Sequence, residues 1–447
     1  MRVKLLPVLL LLAVAPFPGH GEDLMDAYRQ AIANDPVLAT ADAQRLMVAE
    51  GVPLARASLL PQLSAGLELD QIHGGGTQTT DSSGNIVETS GSGHTRDRNL
   101  TGNLSQPILD LSAIANLRAA HAASDSQEQT YQAALQNLYV RVASAYFNVL
   151  QAQDMLDIDR SFEDSYKTEY EQTSARYKNG LSMEADVNQT KAYYLLEKAQ
   201  RISAEDSLKD ARRALQQITG KPTGELKKLR DDLPMQAPRP NDEQAWVDAA
   251  LKTNPAVLAA RYAVSSDEHK VAAARAGHLP TLTAGAGYNK FGQWSNAMPG
   301  TAAYGPATTT VGLTLNIPLF SGGLTHAQVK QAIYQRDADQ GVLESQRRQA
   351  ARDASNYFNL VVDGIDQVES ARQSVEAAKK SLESMRAGYA IGTQSLTNVV
   401  FAIETLAEVQ SQYTVARHQF ILNKLLLKQA AGTIDVGDLE AVNGLLQ

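Results

Sequence analysis

The feature that most constrains this chain is that it repeats itself. Ala33-Asn34-Asp35-Pro36-Val37-Leu38-Ala39 returns as Thr253-Asn254-Pro255-Ala256-Val257-Leu258-Ala259. Leu60-Pro61-Gln62-Leu63-Ser64-Ala65-Gly66 returns as Leu279-Pro280-Thr281-Leu282-Thr283-Ala284-Gly285, about 219 residues on and without a gap. Ser144-Ala145-Tyr146-Phe147-Asn148 is echoed by Ala354-Ser355-Asn356-Tyr357-Phe358-Asn359. Arg176-Tyr177-Lys178-Asn179-Gly180 is echoed by Gly388-Tyr389-Ala390-Ile391-Gly392. A duplication this long means one structural unit used twice. The boundaries it implies are a first repeat over 22–220, a connecting segment with four prolines over 221–241, a second repeat over 242–432, and a tail over 433–447.

The first residues form an export signal. Arg2 and Lys4 precede an apolar run from Leu5 to Phe17, then Gly19-His20-Gly21, which places cleavage after Gly21 and makes residues 1–21 a signal peptide. That run is too short, and too broken by Pro7 and Pro16, for a spanning helix. No later segment is long and apolar enough either, so an exported chain of this kind meets a membrane by some other route than helices. There is no cysteine, hence no disulfide, lipid-bearing cysteine or thiol chemistry. The net charge of −8 argues against a nucleic-acid partner.

Proline and glycine then mark out long helices. No proline falls between Pro107 and Pro222, or after Pro318. Leu111 to Asn179 and Leu324 to Ile391 each read as one helix of about 70 residues, roughly 100 Å long. Leu135, Leu138, Val142, Ala145, Val149, Ala152 and Leu156 step by three and four, as do Val368, Ala371, Val375, Ala378, Leu382, Met385 and Tyr389. Such spacing is a heptad seam and implies a left-handed coiled coil.

Each repeat also carries two strands. Leu63, Ala65, Leu67 and Leu69 alternate with Ser64, Gly66, Glu68 and Asp70, and Leu100 and Leu104 alternate with Thr101, Asn103 and Ser105. Leu282, Ala284, Ala286 and Tyr288 alternate with Thr283, Gly285, Gly287 and Asn289, and Val311 to Ile317 does the same against Thr310 to Asn316. Period two predicts a sheet that is apolar on one side only. One setting for such a sheet is a barrel wall between lipid and a wet lumen. Residues 74–93 and 296–310 read as exposed loops without apolar pattern. Four strands cannot close a pore, and an open edge in lipid is costly, so strands that enter a membrane must close with those of other copies. Two, three or four copies all satisfy this. The competing architecture is a periplasmic or surface coiled-coil protein with a soluble sheet and no pore. An enzyme on a helical scaffold is the third reading, but no P-loop, HExxH or CxxC is present, the eight histidines are scattered, and no catalytic, cofactor or metal residue is assigned.

In their order, Asn34-Asp35-Pro36, Leu59-Leu60-Pro61-Gln62-Leu63, Ser105-Gln106-Pro107-Ile108-Leu109-Asp110, Ala145-Tyr146-Phe147-Asn148, Arg176-Tyr177-Lys178-Asn179-Gly180-Leu181, Gly277-His278-Leu279-Pro280, Pro318-Leu319-Phe320-Ser321-Gly322-Gly323 and Ala387-Gly388-Tyr389-Ala390-Ile391-Gly392-Thr393 resemble the outer membrane factor, or TolC, family from Glu22 to about Gln447. The resemblance implies an α+β membrane protein: a homotrimer whose four strands per protomer make a twelve-stranded barrel in the outer membrane of a Gram-negative cell, continued by an α-helical coiled-coil barrel in the periplasm. It implies an exit duct for tripartite efflux pumps or type I secretion that passively conducts drugs, small molecules or proteins. The implied partners are outer-membrane lipid, a periplasmic adaptor, and an inner-membrane pump or ABC transporter reached through that adaptor.

The resemblance also assigns a gate and a docking tip. Gly180, Leu181, Gly392 and Thr393 stand at the tips that meet the adaptor. Asp186 stands where a family carboxylate pairs with the neighbouring coil, at positions occupied here by Tyr389 and Gln394. Gln394 replaces an arginine of the family pattern, which leaves a neutral hydrogen bond at most. Asn398 and Phe401 replace two aspartates that form a cation-sensitive ring. The expectation is a weaker electrostatic filter and a more apolar constriction, in which dewetting matters. Asp186 is also readable as an acid stabilising a helix N-terminus, the two glycines as ordinary helix caps, and Phe401 as a packed heptad residue.

Overall fold

A computed structural model describes residues 21–73, 77–80, 83, 86–89, 94–295 and 302–447 of the 447. The export signal lies outside these residues, except for Gly21. Helices α1 (Leu24–Asn34), α2 (Pro36–Ala49) and α3 (Gly51–Ala57) lead into strand β1 (Gln62–His73), a short hairpin of β2 (Thr77–Thr80) and β3 (Ile86–Thr89), and strand β4 (His94–Leu109). Helices α4 (Leu111–Lys178) and α5 (Glu184–Thr219) follow. The order then recurs with α6 (Glu243–Thr253), α7 (Pro255–Ala276), β5 (Thr281–Ser295), β6 (Ala302–Tyr304), β7 (Thr308–Asn316), α8 (Leu324–Ala390) and α9 (Leu396–Ala430), before a final α10 (Val436–Asn443). The segments expected to be unpatterned loops therefore contain strand: β2 and β3 in the first, β6 and the start of β7 in the second.

The repeated Asn-Pro motif is a helix start. Asn254 caps α7, its Oδ1 accepting from the backbone N–H of Ala256 at 2.9 Å, with Pro255 in the first turn. In the other repeat Asp35 takes this place before Pro36 and accepts from the Leu38 N–H at 2.9 Å. Proline at the first helical position removes an N–H that the helix could not use. Asp35 also receives Arg141 Nη2 at 2.6 Å, which neutralises a carboxylate that is almost fully buried.

The chain divides into two compact units. One comprises Thr40–Ala134 and Leu251–Ala351 and holds the sheet. Its strands run β1-β4-β5-β7, every neighbour antiparallel, with β6 pairing the far end of β5. The register decides which side chains share a face. Leu63 lies opposite Leu104, Leu104 opposite Ala286, and Ala286 opposite Val311. Leu67 lies opposite Leu100, Gln106 opposite Ala284, and Ala284 opposite Leu313. The apolar residues of all four strands thus share one face, which also carries Gln106 and, opposite Leu100, Lys290, while Ser64, Asn103, Gly287 and Thr310 share the other. The apolar face is uncovered: Val311 is 80% exposed and Leu313 71%. Among the described residues the outer edges of β1 and β7 have no partner strand. In the same unit the small residues of α4 allow close packing, with Ala115, Ala119 and Ala122 buried. The buried Ser266 hydroxyl of α7 donates to the Ala119 carbonyl at 2.9 Å.

The other unit comprises Met1–Ala39, Leu135–Ala250 and Arg352–Gln447. Here the seam residues Leu138, Val142, Ala145, Val149 and Leu156 of α4 are buried, as are Val368, Val375, Ala378 and Leu382 of α8. The proline-rich segment after α5 and the chain's tail form a small packed belt. Leu229 bridges Leu446, Leu226 bridges Glu22, and the Tyr146 hydroxyl donates to the carbonyls of Glu22 and Lys227. No described helix is long and apolar enough to cross a membrane.

Candidate functional site

Two helical turns lie within this second unit, between α4 and α5 and between α8 and α9, and they are built alike. Gly180 has φ of 71° and Gly392 of 79°, the left-handed region in which a side chain is strained. A Cβ at either position would meet nothing, so backbone conformation and not space requires glycine. The Leu181 N–H donates to the Arg176 carbonyl at 2.8 Å, and the Thr393 N–H to the Gly388 carbonyl at 2.8 Å. Each long helix thus ends in a closed left-handed cap. The turns present apolar groups to solvent: Leu181 is 69% exposed and Ile391 77%. Thr393 spends its hydroxyl on the Gly388 carbonyl.

The returning helices begin with equivalent residues of different charge. Asp186 is the third residue of α5 and accepts from the Ser182 hydroxyl at 2.8 Å and the Met183 N–H at 3.2 Å. Asn398 is the third residue of α9 and donates its Nδ2 to Gln394 Oε1 at 2.8 Å. Asp186 and Gln394 are therefore each hydrogen-bonded inside their own turn. In the first turn a carboxylate takes the hydroxyl and the N–H that precede the helix. In the second an amide pair occupies the same place.

Two contacts between α4 and α8 were not foreseen from sequence. The Arg176 guanidinium lies over the Tyr389 ring, 4.8 Å from its centroid. Arg386 Nε donates to Glu169 Oε1 at 3.3 Å, and the Glu169 side chain is only 7% exposed. Together they clasp the first coil to the second just short of the turns. Behind them an apolar cluster joins Phe162 and Tyr166 of α4 to Val375 and Leu382 of α8 and to Val399 and Ile403 of α9. Phe401 does not join that cluster: it is 68% exposed and, with Asn398, lines a shallow cavity of about 240 Å³ between α8 and α9. Its heptad-core reading is thereby set aside for the single chain.

The first coil carries its own polar arrangement. Tyr166 stacks on Tyr193 at 5.8 Å and Tyr170 on Tyr194 at 6.3 Å, joining α4 to α5. Arg201 bridges Glu163 at 2.5 Å and Glu205 at 2.6 Å. Burial first, then the charges of Asp159 and Glu163, push the Glu197 carboxyl up to about 7. His418 is buried against Asp154 at 3.0 Å and packs on Phe147. Among the described residues no group of acidic and histidine side chains is placed to hold a metal ion.

A sheet with one wet and one apolar face, carried by helices of nearly seventy residues, is the anatomy of an outer-membrane conduit. Known proteins agree. The chain matches the description "Outer membrane efflux protein" over residues 27–221 and 246–433. It is 32% identical to outer membrane protein TolC of Escherichia coli K12, over 99% of this chain and 89% of that protein. It is 27% identical to the alkaline protease secretion protein AprF of Pseudomonas aeruginosa, over 94% of this chain and 86% of that one. Its fold is shared with the Campylobacter jejuni CmeC outer membrane channel, with a TM-score of 0.78 at 17% identity over 95% of this chain and 90% of that one. It is shared equally with VceC of Vibrio cholerae, with a TM-score of 0.77 at 19% identity over 92% and 96%.

The chain belongs to the outer membrane efflux protein family. It is accordingly an outer-membrane efflux and secretion channel of TolC type and not an enzyme. This sets aside the pore-free coiled-coil reading.

Proposed function

We propose that three copies of this chain close a twelve-stranded barrel and serve as the exit duct of an efflux pump or type I secretion system. The observation that carries this is the largely apolar face on a sheet whose two edges, among the described residues, are unpaired. Lipid satisfies the face, and the edge strand β7 of one copy meets β1 of the next, so that no backbone group is left unpaired. The polar face, rich in glycine, serine and threonine, lines the lumen. The duplication, with its repeats over 22–220 and 242–432, gives each protomer two strand pairs and two helical coils.

The turns at Gly180-Leu181 and Gly392-Thr393 are the docking tips for a periplasmic adaptor, which couples the duct to an inner-membrane pump or ABC transporter. Exposed Leu181 and Ile391 supply the apolar contact. The gate lies beside them. Tyr389 holds the second coil to the first through Arg176, and Arg386 does so through Glu169. Asp186, Gln394 and Asn398 stiffen the turns, and Phe401 narrows the entrance. With Asn398 and Phe401 neutral, the entrance lacks the charge density that binds multivalent cations.

The test is electrical and hydrodynamic. Purified protein in detergent is expected to have the mass of three chains and to form discrete channels in planar bilayers, with little block by periplasmic-side trivalent cations. A monomer that stays soluble without detergent and forms no channel overturns the proposal. Strong cation block that depends on Asn398 overturns the reading of the entrance.

A further inference from the structure

A cavity of about 410 Å³ lies in the belt, far along the sequence from both tips. One wall is the extended segment from Leu233 to Arg239, and the others come from α6, α9 and α10. Its volume falls in the range of small-molecule sites, about 300–1,000 Å³. Trp246 and Phe420 line it with aromatic surface. The Trp246 indole N–H is already engaged, donating to the Pro240 carbonyl at 2.8 Å, so the ring is fixed and offers only its apolar body.

The charges in the wall are unbalanced. Three cations line the cavity, Arg239, Lys424 and Lys428, against a single carboxylate, Asp438. That carboxylate is fully committed: it takes Lys428 Nζ and the Asp435 N–H at the start of α10. Lys424 is different. Among the described residues it makes no ion pair, and its ammonium lies 5.6 Å from the Phe420 ring centroid. Burial, and then the charge of Lys428, lower its pKa. A half-buried cation without a counter-ion is costly for a protein to keep, and it stands out in a chain of net charge −8.

We propose that this cavity is a binding site for an amphipathic monocarboxylate, with an aromatic or alkyl body against Trp246 and Phe420 and its carboxylate on Lys424. The charge-assisted bond replaces the missing counter-ion, and the apolar wall supplies the remaining affinity. The site would let a small organic acid stabilise the belt without entering the conduit. The cavity shares no residue with the turns at Gly180 and Gly392.

Trp246 gives a direct readout, because Trp294 is the only other tryptophan. The full-length protein carrying Trp294→Phe, reconstituted in lipid nanodiscs, is titrated with 4-phenylbutyrate and in parallel with neutral 4-phenylbutanol. A saturable change in Trp246 emission is expected, with the alcohol binding about 10- to 100-fold more weakly. Lys424→Met should abolish the preference for the acid and Lys424→Arg should retain it. Ala441→Phe, which narrows the cavity from α10, should weaken both probes. Thermal dissociation of the assembly confirms that each variant is folded. Absence of a saturable response, equal affinity for acid and alcohol, or a preference that survives Lys424→Met each overturns the proposal.

Discussion

Removing Arg386 should open the duct. Its partner Glu169 is 7% exposed, so Arg386→Met strands a carboxylate away from water. Breaking a fully buried pair costs about 3–5 kcal/mol. The arginine here is 42% exposed, so screening reduces this to about 2 kcal/mol per protomer. If three clasps must release together, the sum is about 6 kcal/mol, or about four orders of magnitude in the ratio of closed to open states. The assay is single-channel recording in planar bilayers. Arg386→Met should raise the open fraction and mean conductance, and adding Glu169→Gln should reverse part of the change by deleting the stranded charge. Arg348→Met, which removes an exposed pair with Glu344, is the control and should do nothing. An intact assembly of Arg386→Met with unchanged conductance refutes the clasp as the closing contact.

Three further outcomes are expected. Arg141→Met leaves the buried Asp35 uncompensated and should cost about 3 kcal/mol, read as a lower dissociation temperature of the assembly. Glu197 has its folded pKa raised from 4.5 to about 7, so the folded state holds its proton more tightly and stability falls as pH rises through that window. Glu197→Gln should therefore stabilise by about 1 kcal/mol at pH 8, after discounting for solvent screening, and by much less at pH 5 in thermal melts. Leu313→Arg places a charge on the apolar face and should cost about 2–4 kcal/mol, emptying the outer membrane of assembled protein, while Thr314→Arg on the wet face should be tolerated.

Much of this architecture was legible in the residues. Leu63 to Leu69 and Val311 to Leu315 alternate cleanly because one face of each strand lacks a protein partner, so nothing but hydropathy selects their residues. The long helices were legible because proline is absent from both and glycine from α4, although α8 carries Gly341 and Gly364 in its interior. The strands β2, β3 and β6 were not, since Thr77–Thr80 is wholly polar and Ile86-Val87 and Ala302-Ala303-Tyr304 are short runs that do not alternate. The site was legible only where it is local. Gly180 and Gly392 announce themselves as helix caps, and Asp186 as an acid in the first turn of its helix. The clasp did not, because Arg176 meets Tyr389 and Glu169 meets Arg386 across more than two hundred residues of sequence, and each alone reads as a solvated charge or a seam residue. The Lys424 cavity was hidden for the same reason: its walls join α6 and α9 of the second repeat to the connecting segment and the tail, which have no repeat to compare.

The two bare edges of the sheet also have a genetic consequence. In the proposed ring β7 of one copy meets β1 of the next, strands from opposite halves of the duplication, so each junction would be head-to-tail and every subunit would take part in two of them. A lesion in one edge would then spoil a whole ring of three even when its neighbours are sound. In a cell making equal amounts of intact and edge-damaged chains, only about one ring in eight would escape. Lesions on β1 or β7 should therefore behave as dominant negatives, whereas substitutions in α10 or the belt should behave as recessive ones.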